Sequence, residues 1–317
     1  MNKRVVSVGD LVLDLIAPVR LPVLPFQHQE VRGAKLEPGG GCNFNITARR
    51  LGLEVLAIGT VGDDAFGAQL LDALRAEGVD VHGVVVMPGS TTTLVLDLID
   101  LTTHEHVFVG CNAAGPDVTY TPEMDALVAA GDALFLQGYN LQEQQIQGII
   151  LPILERGRAA GIPVFFDVGP TVRHTPFERV RSVMTRADCL MMTEDEVPLA
   201  AHGQTGADAY AFLLDLGAHT LVIRQGAAGC TLIRRDETVV IPGFRVPVVD
   251  TVGAGDCFNA AFIYGRLRGL SWRDSAVLGN AAGAASVQKI GAGRNVPTCA
   301  EVQAVLQSGG SDLTLAC

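Results

Sequence analysis

The run Asp250-Thr251-Val252-Gly253-Ala254-Gly255-Asp256 sets a glycine-rich turn between two carboxylates. Gly253, Ala254 and Gly255 let backbone N–H groups come close to a ligand, and the apolar stretch Cys257 to Ile263 reads as a helix opening at the same place. Free amides at a helix N-terminus attract anions. Asp256 would then lie in the first helical turn beside the anion, where a carboxylate can take a proton from an attacking hydroxyl. An anion turn paired with a base points to phosphoryl transfer. Glycine beside aspartate is also ordinary turn and cap chemistry, but seven specified positions exceed what a turn needs.

A second constellation lies near the N-terminus. The apolar run Val5 to Val8 ends at Gly9, and Asp10 and Asp14 follow it closely. A carboxylate just past a strand can accept hydrogen bonds from two adjacent sugar hydroxyls. From the residues alone either aspartate fits that role, and either could be a turn residue. Further on come Gly39-Gly40-Gly41-Cys42-Asn43, the stretch Ile46 to Gly52 ending in Arg50-Leu51-Gly52, and Gly59-Thr60-Val61-Gly62-Asp63-Asp64-Ala65-Phe66-Gly67.

Together these motifs resemble the two signatures of the ribokinase (PfkB) family of sugar and nucleoside kinases. Asp250 to Asp256 matches its D-T-x-G-A-G-D, and the N-terminal glycines, asparagine and R-L-G match its first signature, in the expected order. The resemblance extends along essentially the whole chain. It implies a three-layer αβα sandwich with a central, mostly parallel sheet and a small β-sheet lid. It also implies Asp256 as base, with the backbone of Gly253, Ala254 and Gly255 as anion hole. The sugar-binding aspartate falls at Asp14, accompanied by Gly39, Gly40 and Asn43. Asn45 competes with Asn43, and counting back from Leu51-Gly52 favours Asn43.

For the nucleotide, Arg224-Gln225-Gly226-Ala227-Ala228-Gly229 resembles the family loop T-L-G-x-x-G, with Arg224 where the family has threonine. A guanidinium could bind phosphate in its own right. Gly226, Gly229, Gly255 and Asn280, the last beside the adenine, complete the implied ATP site. Thr193-Glu194-Asp195-Glu196 stands where the family has N-x-x-E, so Thr193 replaces the asparagine. Glu196 is left to act on Mg²⁺ through water, which suits an ion that keeps most of its waters. Asp250, Val252, Ser286, Lys289, Gly291 and Asn295 resemble the loop pair that holds a monovalent cation, K⁺, through backbone carbonyls.

The elements that must position these residues can be read from apolar patterning. Uninterrupted apolar runs at Val5–Val8, Val55–Ile58, Ala133–Leu136, Val164–Phe166, Cys189–Met192 and Leu221–Ile223 suit strands buried on both faces. Helical spacing fills Ala65–Ala76, Gln144–Ala160, Ala207–Leu216, Ala254–Arg268 and Asp274–Gln288, so strand and helix alternate. Two segments, about 15–38 and 91–110, break the alternation with prolines or with apolar-polar patterning. They are expected to form exposed antiparallel strands, and the family resemblance implies that they make a lid over the sugar that doubles as a homodimer contact.

The bulk properties narrow the remaining classes. At 317 residues and 48% hydrophobic, the chain can bury the core of one large kinase domain, expected to span 1–317. A formal charge of −11 argues against nucleic acid as a partner. No membrane span or secretory signal is evident, which makes a cytoplasmic enzyme the expectation. Seven scattered cysteines read as reduced thiols rather than a zinc site. The reading is an ATP- and Mg²⁺-dependent sugar kinase. A nucleoside kinase would share every motif, with Phe26, Phe108 or Tyr139 as a wall for the base. A non-catalytic sugar-binding regulator would be expected to have lost the base and anion hole.

Overall fold

The computed structural model describes residues 2–103, 106–290 and 292–315. In chain order the first strands are β1 (Arg4–Val8), β2 (Leu11–Val19), β3 (Lys35–Gly40), β4 (Glu54–Gly62), β5 (Asp80–Met87), β6 (Leu94–Asp100) and β7 (His106–Cys111). They are followed by β8 (Ala133–Gln137), β9 (Val164–Asp167), β10 (Cys189–Thr193), β11 (Thr220–Arg224), β12 (Gly229–Ile233) and β13 (Thr238–Pro242). Nine of the described strands form one sheet in the order β13-β12-β11-β10-β9-β8-β1-β4-β5. All its pairings are parallel except the hairpin connections β11–β12 and β12–β13.

The central strands are apolar at nearly every position because helices cover both faces. On one face, helices Cys42–Arg50, Ala254–Leu267 and Trp272–Ser286 pack Phe44, Phe258, Phe262 and Leu278 against Phe135 and Phe165. Phe44 and Phe135 stack there with ring centroids 3.9 Å apart. On the other face, helices Pro122–Ala130, Gln147–Ala160, Phe177–Met184 and Gly206–Asp215 bury Val128, Ile149, Ile153, Val183 and Leu213 against Leu134, Phe166 and Leu190. The result is a three-layer αβα sandwich.

The other four strands make a separate sheet, β3-β2-β6-β7. Its outer pairs, β2–β3 and β6–β7, are antiparallel as expected, but its central pair β2–β6 is parallel. The difference has a simple cause. β2 leaves the carboxyl end of β1 through the Gly9–Asp10 turn, and β6 leaves the carboxyl end of β5 in the same way, so both strands run outward together. The small sheet therefore rises from the edge of the large sheet at which parallel α/β folds bind ligands.

Five cysteines are free thiols (42, 111, 189, 230 and 257), whereas Cys299 is disulfide-bonded, against the expectation of reduced thiols throughout. Among the described residues, no helix is long and apolar enough to cross a membrane.

Candidate active site

Four neighbouring strands each end their apolar run in one polar residue: Gln137 on β8, Asp167 on β9, Thr193 on β10 and Arg224 on β11. Register aligns Gln137 with Asp167 and Thr193 with Arg224, so the polar ends form one row along the carboxyl edge. Opposite this row, Gly253 takes φ +74° and hands the chain into the Ala254–Leu267 helix. That left-handed conformation is easy for glycine and costly for other residues. The amide of Ala254 donates to the Thr251 carbonyl at 3.3 Å. Those of Gly255 and Asp256 lie in the first turn, where no preceding carbonyl of the helix can accept them.

Asp256 projects from this turn. Gln137 Nε2 donates to one of its carboxylate oxygens at 2.6 Å and Asn43 Nδ2 to the other at 3.1 Å. Burial of the carboxyl, reinforced by the charge of Asp167, raises its pKa to about 7 despite the Asn43 hydrogen bond. Asn43 also accepts from the Gly293 amide at 2.7 Å, so it ties the base to the last loop. Both ends of the Asn43 amide are therefore engaged within the protein. Asn45, its competitor, is fully buried, and neither of its amide atoms has a hydrogen-bond partner among the described residues.

The glycines of the first signature have a steric reason. Val12 and Leu11 of β2 pair with Gly39 and Gly40 of β3. A Cβ on Gly39 would overlap the Asp14 carboxyl, and one on Gly40 would crowd that of Asp10. Asp14 is 6% exposed, and no hydrogen bond to its carboxyl is formed by the described residues. Burial, with the charges of Asp97, Asp10 and Asp256, pushes its pKa up to about 8. Asp10, held at φ +50°, is also raised by burial, and the half-buried Glu143 is raised by burial and by Asp10. Tyr139 stands beside this group, its hydroxyl pushed up by burial and by Asp10 and Asp256.

Of the residues assigned to the nucleotide, Arg224 is largely spent within the protein. It pairs with both oxygens of Asp167, at 3.0 and 2.7 Å, and reaches Asn259 Oδ1 at 2.9 Å and the Gly255 carbonyl at 3.5 Å. Its Nε is buried without a partner. Glu196, raised mainly by burial, accepts from the Thr193 amide at 2.8 Å and lies 3.9 Å from Arg224. Gly226 and Gly229 bound the short turn that joins β11 to β12. Asn280 stands apart from this row: its Nδ2 donates to the carbonyls of Ile241 and Pro242 at the end of β13.

The loops assigned to a monovalent cation do meet, since the Val249 and Asp250 amides donate to the Val287 carbonyl. Asp250 Oδ1 accepts from the Val252 amide at 3.0 Å and lies 3.0 Å from His106 Nε2 of the small sheet. The other nitrogen of His106 lies 2.9 Å from Asp97. Ser286 donates to the Gly283 carbonyl, Asn295 to that of Ile290, and Lys289 turns away to pair with Glu301. Gly291 lies outside the described residues.

Gln137, Asp167, Asn259 and His106 were not singled out in the sequence. The signal for the first two was available, because each is the first polar residue after a buried run at a strand's carboxyl end. Asn259 and His106 gave no such signal, being one asparagine in an apolar helix and one histidine in an alternating strand.

The family model for pfkB family carbohydrate kinases matches residues 2–299. The chain belongs to this family. It is 25% identical over 315 residues to the ribokinase of Haemophilus influenzae, covering 97% of this chain and 99% of the relative. It is 29% identical over 323 residues to the aminoimidazole riboside kinase of Salmonella typhimurium, with 97% and 96% covered. A crystal structure of an Escherichia coli protein in complex with ATP and Mg²⁺ shares the fold, with a TM-score of 0.82 at 24% identity over 97% of this chain and all of the other. The protein is thus a sugar or nucleoside kinase, a phosphotransferase acting on an alcohol.

The Asp14 environment gives a stability test. A carboxyl raised from 3.8 to about 8 stays protonated in the fold while the unfolded chain ionises, so the folded state loses ground as pH rises from about 4 to about 8. Asp14→Asn removes that penalty. The melting temperature of the acceptor-free variant should exceed wild type at pH 8 to 9 and match it near pH 4, as measured by calorimetry. A variant less stable than wild type at pH 9 would show that the carboxyl is not strained there.

Proposed function

We propose that this kinase transfers the γ-phosphoryl group of ATP to a primary hydroxyl of a monosaccharide, with Asp256 as general base. The observation that carries the proposal is the Asp256 carboxylate, pinned on both oxygens and set in the first turn of the helix whose amides form the anion site. A base with a pKa near the working pH is half ready to accept a proton and strong enough to hold it. Asp14 would accept hydroxyls of the sugar and orient it, since its carboxyl has no hydrogen-bond partner among the described residues. As the substrate oxygen attacks, Asp256 removes its proton. The amides of Gly255 and Asp256 then face the charge that develops on the transferred group.

Mg²⁺ fits the residues present, because it prefers hard oxygen donors and keeps several waters. Glu196 offers one carboxylate, and among the described residues no cluster of three or more His, Cys, Asp or Glu could hold a metal unaided. The ion would therefore arrive with ATP, where it neutralises phosphate charge. The turn of Gly226 and Gly229 would admit the nucleotide, with Thr193 and Asn280 at its flanks. Arg224 would act through its field, holding positive charge beside Gly255. The same reading includes K⁺ between the loops that meet at Val287.

A nucleoside acceptor is a second reading, favoured by Tyr139, a half-exposed aromatic ring beside the acceptor carboxylates that could stack on a base. The small sheet would serve as lid and as dimer contact. Its edge strand β7 exposes Val107, Phe108 and Val109, and such an edge invites pairing with a second copy.

Two outcomes are expected. Asp256→Asn should lower kcat by about two to four orders of magnitude while ATP affinity changes little. In wild type, kcat/KM should fall below pH about 7, where Asp256 takes up a proton. Near wild-type turnover in the variant would end this reading. For the lid, sedimentation velocity should show a dimer that Phe108→Asp together with Val107→Asp converts to monomer, whereas a monomeric wild type would remove the pairing.

A further inference from the structure

Gln137 ends β8, a strand whose residues are all buried. Alternation along the strand turns its side chain to the same face as Phe135, the face covered by the Cys42–Arg50 and Ala254–Leu267 helices. Phe44, stacked on Phe135, fixes the strand against the first of these helices. From this place Gln137 Nε2 reaches Asp256 at 2.6 Å, and because an ionised carboxylate only accepts, the donor end of the amide must face it. The acceptor end, Oε1, lies at the turn that enters the Cys42–Arg50 helix. A Cβ on Gly41 would come within 2.9 Å of Gln137 Oε1, 2.9 Å of the Gly9 carbonyl oxygen and 3.2 Å of that of Asp10. Of these three atoms only the glutamine oxygen belongs to a side chain that could give way. Gly41 thus completes the glycine triplet: the first two leave room for Asp14 and Asp10, and the third for the amide that holds Asp256.

Resting on the reading of Asp256 as the base, we infer that Gln137 is a positioning residue for phosphoryl transfer. Its neutral amide sets the direction of the Asp256 carboxylate, and Gly41 lets the amide keep its place. The last torsion of an aspartate is broad, so the direction of the carboxylate must be fixed from outside. Asn43 fixes one oxygen only, through a longer bond of 3.1 Å, and its own other end is held by the Gly293 amide. Gln137 fixes the second oxygen from a strand in the middle of the large sheet. The residue type follows from the charges around Asp256, which are Asp167 on β9, Asp10 after β1 and Arg224 on β11. A glutamate at position 137 would add another carboxylate and share its proton with Asp256, and a lysine there would pair with the base and weaken it. Glutamine donates a hydrogen bond without bringing a charge.

The test uses the purified full-length protein and two readouts: ADP formation on ribose and on fructose, and ¹³C titration of the Asp256 carboxyl, which needs no acceptor. Gln137→Met, similar in size and unable to donate, should lower kcat about 10- to 100-fold above the acid limb. KM for ATP and for the sugar should stay within about threefold of wild type. The Asp256 midpoint, and with it the acid limb of kcat/KM, should rise by about one pH unit, because the lost hydrogen bond favoured the charged form. Gln137→Glu should raise both further, since two carboxyls then share one proton. A lowered kcat with an unmoved midpoint would make the role of Gln137 merely structural and overturn the inference. Turnover and midpoint both near wild type would also overturn it. Near wild-type turnover in Asp256→Asn would remove the base reading and this inference together, whereas a loss in Asp256→Asn without one in Gln137→Met would overturn the inference alone. If neither sugar is turned over, the titration decides: a raised midpoint supports the inference and an unmoved one overturns it. Should Gln137→Met fail to fold, the isosteric Gln137→Glu carries the same comparison. Gly41→Ala should lower kcat in the wild-type background and by no more than about twofold in Gln137→Ala, where no amide is left to displace. An undiminished drop there would remove Gly41 from the assignment.

Discussion

The arrangement of this protein depends on keeping the Asp256 carboxylate fixed and partly desolvated at the mouth of a helix N-terminus. Two neutral amides hold it, Gln137 from β8 of the large sheet and Asn43 from the helix that follows β3. Amides can orient a carboxylate without cancelling its basicity, as a direct arginine or lysine pair would. The nearest guanidinium, Arg224, is kept off Asp256 by Asp167, which binds both of its terminal nitrogens. Asp167 thus acts twice, holding Arg224 and raising Asp256 by its own charge.

The price of such a site is a set of acidic groups that repel one another, and the surrounding fold is shaped to contain them. Gly39 and Gly40 leave out the side chains that would displace Asp14 and Asp10. Gly293 does the same on the other side, where a Cβ would press on Glu37 and the Pro38 carbonyl. Three contacts then clasp the small sheet and the helix after β3 to the last loops of the chain: Glu37 with Arg294, Asn43 with Gly293, and His106 with Asp250. These link residues some 140 to 260 positions apart, about the span a whole α/β domain requires. The small sheet, which carries Asp14, is thereby tied to the loops on either side of the Ala254–Leu267 helix.

Much of this was legible in the sequence, for physical reasons. The buried strands announced themselves because a sheet covered on both faces leaves no polar alternation, and the five helical segments fell where spacing placed them. The glycines were legible because close backbone approach demands that residue type, and the position of Asp256 because the turn before it opens a helix. The parallel pairing of β2 with β6 was not, since pairing direction depends on where each strand leaves the large sheet. Asn43 stood out beside its glycines, but its attachment to Asp256 and Gly293 spans 213 and 250 positions and has no local signature. The engagement of Arg224 was hidden for the same reason, because Asp167 lies 57 residues away on another strand.

The central claim is that the fold holds Asp256 as a base with its pKa lifted to the working pH. Carboxyl ¹³C NMR titration of protein labelled at aspartate, with Asp256→Asn used to assign the resonance, measures this directly. The account predicts a midpoint at about 7 in the acceptor-free protein. A midpoint near the ordinary aspartate value of about 4 would contradict it, since the carboxylate would then be solvated and the two amides would be holding an unperturbed group.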